Sequence, residues 1–200
     1  LARVRAYLDE LRTLATLLLD EGLLAPRAVV TAGGSLYFDL VVERLAGGWP
    51  AGSDVRVMLR SGCYLTHDAG IYERGSPFAA EEPGRRFHSA LEAWGAVVSQ
   101  PEPGLAILGL GRRDVPFDQG LPRPLVRRHD RFRESIEGRA AVTALNDQHA
   151  FCAINDGVTL DEGDLVLCGV SHPCTAFDRW RVIPVLDDDD RVVEAVATMF

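Results

Sequence analysis

Apolar and polar positions run along this chain in two different rhythms. Between Val4 and Leu24, the residues Val4, Tyr7, Leu8, Leu11, Leu14, Ala15, Leu18 and Leu19 recur three and four apart, which places them on one face of a helix. Gly22 is the predicted stop. Arg27 to Thr31 reads as a short buried strand, and the loop Ala32-Gly33-Gly34-Ser35 follows it. Leu36 to Leu45 returns to the helical period, a Gly/Pro turn spans 47–50, and Val55 to Leu59 forms a second strand that runs into Arg60-Ser61-Gly62-Cys63-Tyr64. Helix, strand and glycine loop, given twice, is the βα alternation of a parallel sheet or barrel.

From about Gly75 the rhythm shortens. Gly75-Ser76-Pro77 and Glu81-Glu82-Pro83-Gly84 read as a linker. Beyond it, strands are predicted near 88–99, 104–111, 140–146, 149–154, 164–171, 180–186 and 191–199, with Gly111 to Glu137 as a long irregular connection. Asp187-Asp188-Asp189-Asp190 lacks the spaced ligands and glycine of a calcium loop and reads as a solvated hairpin turn. The expected organisation is therefore an α/β segment over 1–75 and a mostly β domain over 76–200.

Composition narrows the function. The net charge of −8 argues against a general nucleic-acid binder. No apolar run approaches membrane-spanning length and no signal-peptide pattern opens the chain, so a cytoplasmic protein with no membrane partner is expected. Cys63, Cys152, Cys168 and Cys174 are spaced irregularly and read as reduced. All 21 basic residues are arginine, so no lysine of this chain can form a Schiff base. Leu1 and the helix that follows at once resemble the middle of a fold, and we expect the carboxy-terminal part of a longer protein.

Several places have residues suited to chemistry. His172 and Cys174 stand two apart after the apolar run Leu165 to Val170. On a strand they would share a face, where an imidazole and a thiolate can grip one borderline metal ion. A buried cysteine beside a hydrogen-bonded histidine is the structural alternative. At Gly33-Gly34-Ser35, backbone N–H groups and a hydroxyl can receive a phosphate oxygen at a helix start, or Ser35 can simply cap the helix. Ser61-Gly62-Cys63 ends the next strand in the same way, and two such strand ends in series resemble the phosphate site of a (β/α)8 barrel.

Tyr64 follows as a catalytic candidate, with its hydroxyl close to that loop; His67 and Asp68 read as a catalytic pair or as surface polar residues. His149, at a predicted strand edge, is an acid–base candidate or a turn histidine bonded to backbone. Asp178 beside Arg179 reads as a local ion pair, with a carboxylate-binding arginine as the alternative.

Together these segments bear a family likeness. Ser171 to Trp180 (SHPCTAFDRW), its lead-in Asp161 to Val166 (DEGDLV) and Leu145 to Phe151 (LNDQHAF) resemble the carboxy-terminal domain of the D-serine dehydratase and D-threonine aldolase family. These are fold-type III pyridoxal phosphate enzymes, related in architecture to alanine racemase. TAGGS and RSGCY resemble that family's last barrel strands. The resemblance implies the last βα units of an alanine-racemase-type (β/α)8 barrel followed by a β-rich carboxy-terminal domain.

It also implies roles. His172 and Cys174 match the family's metal pair, zinc in the dehydratases and often manganese or another divalent ion in the aldolases. Gly34 and Ser35, with Gly33 beside them, match the loop that holds the cofactor phosphate. Gly62 and Cys63 match the backbone of the last barrel strand; Cys63 stands where relatives often have Asn or Thr, so only its backbone role carries over. His149 matches a histidine near the metal. The Schiff-base lysine is expected in an amino-terminal barrel half outside this chain, and a homodimer is expected.

The function so implied is a lyase on D-3-hydroxy amino acids, dependent on pyridoxal 5'-phosphate and a divalent metal, with the D-serine/D-threonine dehydratase favoured because a thiolate partner matches the dehydratase pattern. A D-threonine aldolase, an amino-acid racemase, a non-catalytic pyridoxal phosphate-binding protein and a zinc-stabilised structural β domain are the alternatives.

Overall fold

A computed structural model describes residues 1–25, 27–155 and 157–199. They form two compact units: Leu1–Leu65 with Gly75–Phe87, and Thr66–Arg74 with the chain from His88 onward.

The first unit opens with α1 (Ala2–Asp20). Its end is a Schellman closure: Gly22 takes φ 66, its N–H reaches Leu19 O, and the Leu23 N–H reaches Leu18 O at 2.9 Å. β1 (Arg27–Ala32), α2 (Phe38–Leu45) and β2 (Asp54–Leu59) follow. β1 and β2 pair in parallel, with Val30 opposite Val57. The helical stripe read from the sequence becomes core: Leu8 and Ala15 of α1 pack with Val30 and Ala32 of β1 and with Leu40, Val41 and Leu45 of α2. Burying each such leucine contributes about 1.5–3 kcal/mol. A 3-10 turn at Gly62–Leu65 closes the βα pattern.

The helix at 36–45 begins later than its period suggests. Tyr37 takes a left-handed conformation at φ 58, and α2 starts at Phe38 with no side-chain cap. Ser35 therefore does not cap α2, because its hydroxyl is engaged by the neighbouring strand end.

The second unit begins with α3 (Ile71–Gly75) and continues into strands: β3 (Glu92–Glu102), β4 (Leu105–Leu108), β5 (Arg123–His129), β6 (Phe132–Ser135), β7 (Ala140–Leu145), β8 (Ala150–Ile154), β9 (Leu165–Gly169), β10 (Val182–Leu186) and β11 (Val192–Ala197). Seven of them form one antiparallel sheet in the order β6-β5-β9-β3-β4-β8-β7, and β10 with β11 forms a separate hairpin. Val97, Leu108, Leu110, Val115, Ile136, Cys152, Leu160, Val166 and Cys168 are at the centre of its core.

β5 and β6 lie inside the stretch read as irregular, and this corrects that reading. Arg127, Arg128 and Arg133 hide the strands from an apolar-period search. The guanidiniums of Arg128 and Arg133 stand over the Trp94 ring at 5.2 and 5.5 Å, where an arginine can cover apolar surface and keep its charge. The acidic run becomes the β10–β11 turn, as expected: Asp187 Oδ1 accepts the N–H groups of Asp189 and Arg191 at 2.9 Å.

Candidate metal and cofactor sites

β9 carries the chain to the first site. It lies between β3 and β5, and Val166 to Gly169 are buried. A central strand covered on both faces needs a continuous apolar run, and Leu165-Val166-Leu167-Cys168 supplies it. Its exit is strapped by Ala69-Gly70-Ile71: the Ala69 N–H reaches Val170 O at 2.9 Å and the Ile71 N–H reaches Ser171 O at 3.2 Å. The approach is close enough to require glycine. A Cβ at Gly70 would meet Ser171 O at 2.4 Å, and one at Gly169 would meet Ala69 Cβ at 2.4 Å.

Past Ser171, whose hydroxyl donates to Gly120 O at 2.6 Å, the chain leaves the strand. His172 and Cys174 sit on the following turn, which the Ala176 N–H closes onto Pro173 O at 3.0 Å. This corrects the strand-face reading: β9 ends at Gly169, so the bend after the strand, not strand alternation, brings the two side chains near each other. Their ligand atoms lie within 4.8 Å of each other. That suits two bonds of about 2.0–2.3 Å to one ion, and nitrogen plus thiolate is a zinc-type donor set. The His172 Nδ1 lies 2.7 Å from Asp118 Oδ2, Thr175 Oγ1 donates to Asp118 Oδ1 at 3.3 Å, and the Tyr72 ring is 5.9 Å from the imidazole. Burial opposes the charge on Asp118, but the hydrogen bonds and polar contact from His172, its own backbone and Thr175 outweigh it, so the carboxyl lies below its usual range.

Two further cysteines, Cys152 and Cys168, lie in the core. Burial pushes the Cys152 thiol up to about 11 and the Cys168 thiol further still, so both are inert core residues. Cys168 is fully buried one residue before the end of β9, and among the described residues it does not join His172 and Cys174 in a group of ligand atoms within 4.8 Å.

His149 lies in the turn between β7 and β8, in an open depression with Arg112, Asn146, Asp147 and Gln148. Its backbone carbonyl receives the Asn146 N–H at 2.8 Å, which closes the β7–β8 turn. Among the described residues it does not join His172 and Cys174 in a group of ligand atoms within 4.8 Å. His67 and Asp68 are buried, at 3% and 1% exposure, so the surface-polar reading does not hold. Asp68 Oδ1 accepts the N–H groups of Gly70, Tyr72 and Glu73 and starts α3. Asp178 and Arg179 form the local ion pair at 3.4 Å.

A second cluster, His129 with Asp161 and Asp164, also brings ligand atoms within 4.8 Å. Arg127 already pairs with both carboxylates, at 2.8 and 2.6 Å, so their charge is matched without a metal.

The first unit holds the second site. The loops after β1 and β2 are tied together by Ser61 Oγ donating to Gly34 O at 2.8 Å and by the Cys63 N–H donating to Ser35 Oγ at 2.9 Å. Gly33 takes φ 79, and a Cβ there would meet Val41 Cγ2 at 2.8 Å, so only glycine fits between this loop and α2. A Cβ at Gly34 or Gly62 would meet nothing within 4 Å, so both glycines border open space. Two joined glycine loops with a hydroxyl between them fit a phosphate group. Tyr64 stacks on Phe87 at 5.7 Å and lies 6.4 Å from Phe38, so its ring belongs to an aromatic cluster of this unit.

Asp118 is the site residue that sequence reasoning missed. It stands in the 111–137 connection, far in sequence from His172, and no spacing rule joins them.

Residues 90–186 match the family described as "Putative serine dehydratase domain". D-threonine aldolase from Filomicrobium marinum has a similar structure, with a TM-score of 0.63 and 22% identity over 85% of this chain and 40% of its own. A histidine-to-alanine mutant of D-threo-3-hydroxyaspartate dehydratase gives a TM-score of 0.65 and 19% identity over 99% of this chain and 50% of its own. An alanine racemase-like protein from Idiomarina loihiensis gives 0.57 and 14%, over 85% and 43%. This chain thus spans half or less of the length of these structures. No curated protein sequence matches it. Among the described residues, no helix is long and apolar enough to cross a membrane.

Proposed function

We propose, from the premise that this chain is a member of the D-serine dehydratase- and D-threonine aldolase-like family of fold-type III enzymes, that it belongs to a lyase acting on D-3-hydroxy amino acids with pyridoxal 5'-phosphate and a divalent metal. One observation carries the reading: His172 and Cys174, within 4.8 Å of each other, project from the exit of the most buried strand of the matched domain.

The residues present fit both groups. Gly33, Gly34, Ser35 and Gly62 would hold the cofactor phosphate, with the Cys63 N–H fixing the Ser35 hydroxyl beside them, and His172 with Cys174 would hold the metal, with zinc favoured by the thiolate. Bound pyridoxal phosphate supplies an electron sink for charge developing at the substrate α-carbon. A bound divalent ion supplies a Lewis acid for the β-hydroxyl, a poor leaving group in water. The chain's own contribution is placement. The Ser61 and Ser35 hydrogen bonds hold the two glycine loops at a fixed separation, and the strap at Ala69-Gly70-Ile71 fixes where the His172–Cys174 turn leaves the sheet.

Dehydration is favoured over aldol cleavage. A solved D-threo-3-hydroxyaspartate dehydratase carries alanine for a cysteine in its metal-free form, and another carries alanine for a histidine two positions earlier. The spacing is that of His172 and Cys174 here. The aldolase is the second reading, supported by the likeness to the Filomicrobium marinum enzyme.

The test is incubation of the full-length protein with D-threonine, with and without chelator, and identification of products by mass spectrometry. Chelator-sensitive 2-oxobutanoate and ammonia are expected. Glycine and acetaldehyde would move the enzyme to the aldolase class. Turnover indifferent to metal removal would overturn the metal assignment.

A further inference from the structure

We infer that Asp118 is the positioning residue of the metal pair: it fixes the tautomer and orientation of the His172 ring and ties both ligand segments to one carboxylate. The inference rests on the proposed metal role of His172 and Cys174.

An ionised carboxylate only accepts hydrogen bonds. With Asp118 Oδ2 at 2.7 Å from Nδ1, the neutral ring must hold its proton on Nδ1, and the lone pair stands on Nε2. The second oxygen, Oδ1, receives the hydroxyl of Thr175 at 3.3 Å. Thr175 directly follows Cys174, so the carboxylate holds the histidine through its ring and the cysteine through its neighbour. Tyr72, 5.9 Å away ring to ring, restricts imidazole rotation, and its own place is set by its N–H bonding Asp68 Oδ1 at 3.0 Å. The His172 side chain is only 15% exposed, so water has little access to replace Asp118 as the Nδ1 partner. Without Asp118 the ring is free to turn over or to move its proton to Nε2, and either change removes the ligand atom. Such partners of metal-bound histidines change metal affinity by about 10–100-fold.

The test uses Co(II) as the probe and the full-length protein as the host. The near-ultraviolet thiolate-to-Co(II) band is titrated in the wild type, D118A, D118N, H172A and C174S. The expected result is loss of the band in C174S, strong weakening in H172A, and about 10–100-fold weaker Co(II) binding in D118A. D118N keeps an acceptor for Nδ1–H, so it should recover much of that loss. Far-ultraviolet circular dichroism of the metal-free variants checks folding. Where D118A does not fold, T175V carries the test, with about two- to five-fold weaker binding expected from one lost hydrogen bond; unchanged affinity there overturns the proposal. Wild-type affinity and spectrum in folded D118A, with H172A and C174S impaired, would remove the Asp118 role and leave the metal pair standing. A Co(II) site indifferent to H172A and C174S would remove the metal reading and this inference with it.

Discussion

Gly70 shows how much one residue's size can matter to this site. A methyl group there would stand 2.4 Å from the carbonyl oxygen of Ser171, the residue before the proposed ligand His172. Gly70→Ala must push the strap off the end of β9. Overpacking of this kind costs about 1–3 kcal/mol, and thermal denaturation should report that loss. The same variant should weaken metal binding, because the strap sets the exit of the turn. Gly84→Ala, in open space and outside these contacts, should change neither. At this scale the sequence was partly legible. His172 and Cys174 stand out because their chemistry is written in their side chains. The role of Gly70 is not, since a glycine in a loop looks the same whether it is crowded or free.

At the scale of elements, the junction of β5 with the start of β9 gathers several charges. Asp164 is fully buried at its side chain and takes Arg127 Nε and His129 Nδ1, both at 2.6 Å. Burial opposes its charge, but the Asp161 N–H, His129 and Arg127 together hold its carboxyl below the usual range, while the Asp164 hydrogen bond raises His129. The signs decide the pH behaviour. A lowered carboxyl stabilises the fold above about pH 4 and loses that contribution as pH falls. A raised histidine stabilises in full below about pH 6.5 and loses that contribution as pH rises through its folded value. The junction should therefore be firmest between about pH 4.5 and 6.5, and a melting-temperature profile should place the wild type above H129Q within that window, with the gap closing as pH rises beyond it.

Asp164→Ala leaves Arg127 partly buried without its main partner and should cost about 3 kcal/mol, read by denaturant unfolding. These charges also explain why β5 and β6 were not legible. Hydrophobic alternation marks a strand only when apolar side chains supply the burial. Here arginines supply it over Trp94, and a polar period reads as a loop.

For the whole molecule, the two sites lie on separate compact units, each with its own core. Metal binding to the native state alone adds stability by mass action. An ion at a hundred times its dissociation constant should raise the unfolding free energy by about 2.7 kcal/mol. Differential scanning calorimetry should show zinc raising the melting temperature of the wild type and leaving C174S unmoved; equal shifts in both would place the ion elsewhere.

The sequence by itself determined the kinds of element and their order: an amphipathic α1, a βα alternation, then a β-rich domain ending in an acidic hairpin turn. It also determined which side chains could do chemistry, because apolar period and functional-group identity are local properties. The tertiary structure decided the rest. It set β9 between β3 and β5, moved His172 and Cys174 from a strand onto a turn, engaged Ser35 with Cys63 instead of a helix end, and brought Asp118 to His172 across 54 positions of chain. Those arrangements depend on which surfaces pack against which. Hydrogen bonds between residues far apart in the chain form only once the burial of apolar surface has brought their segments together, so no local pattern encodes them.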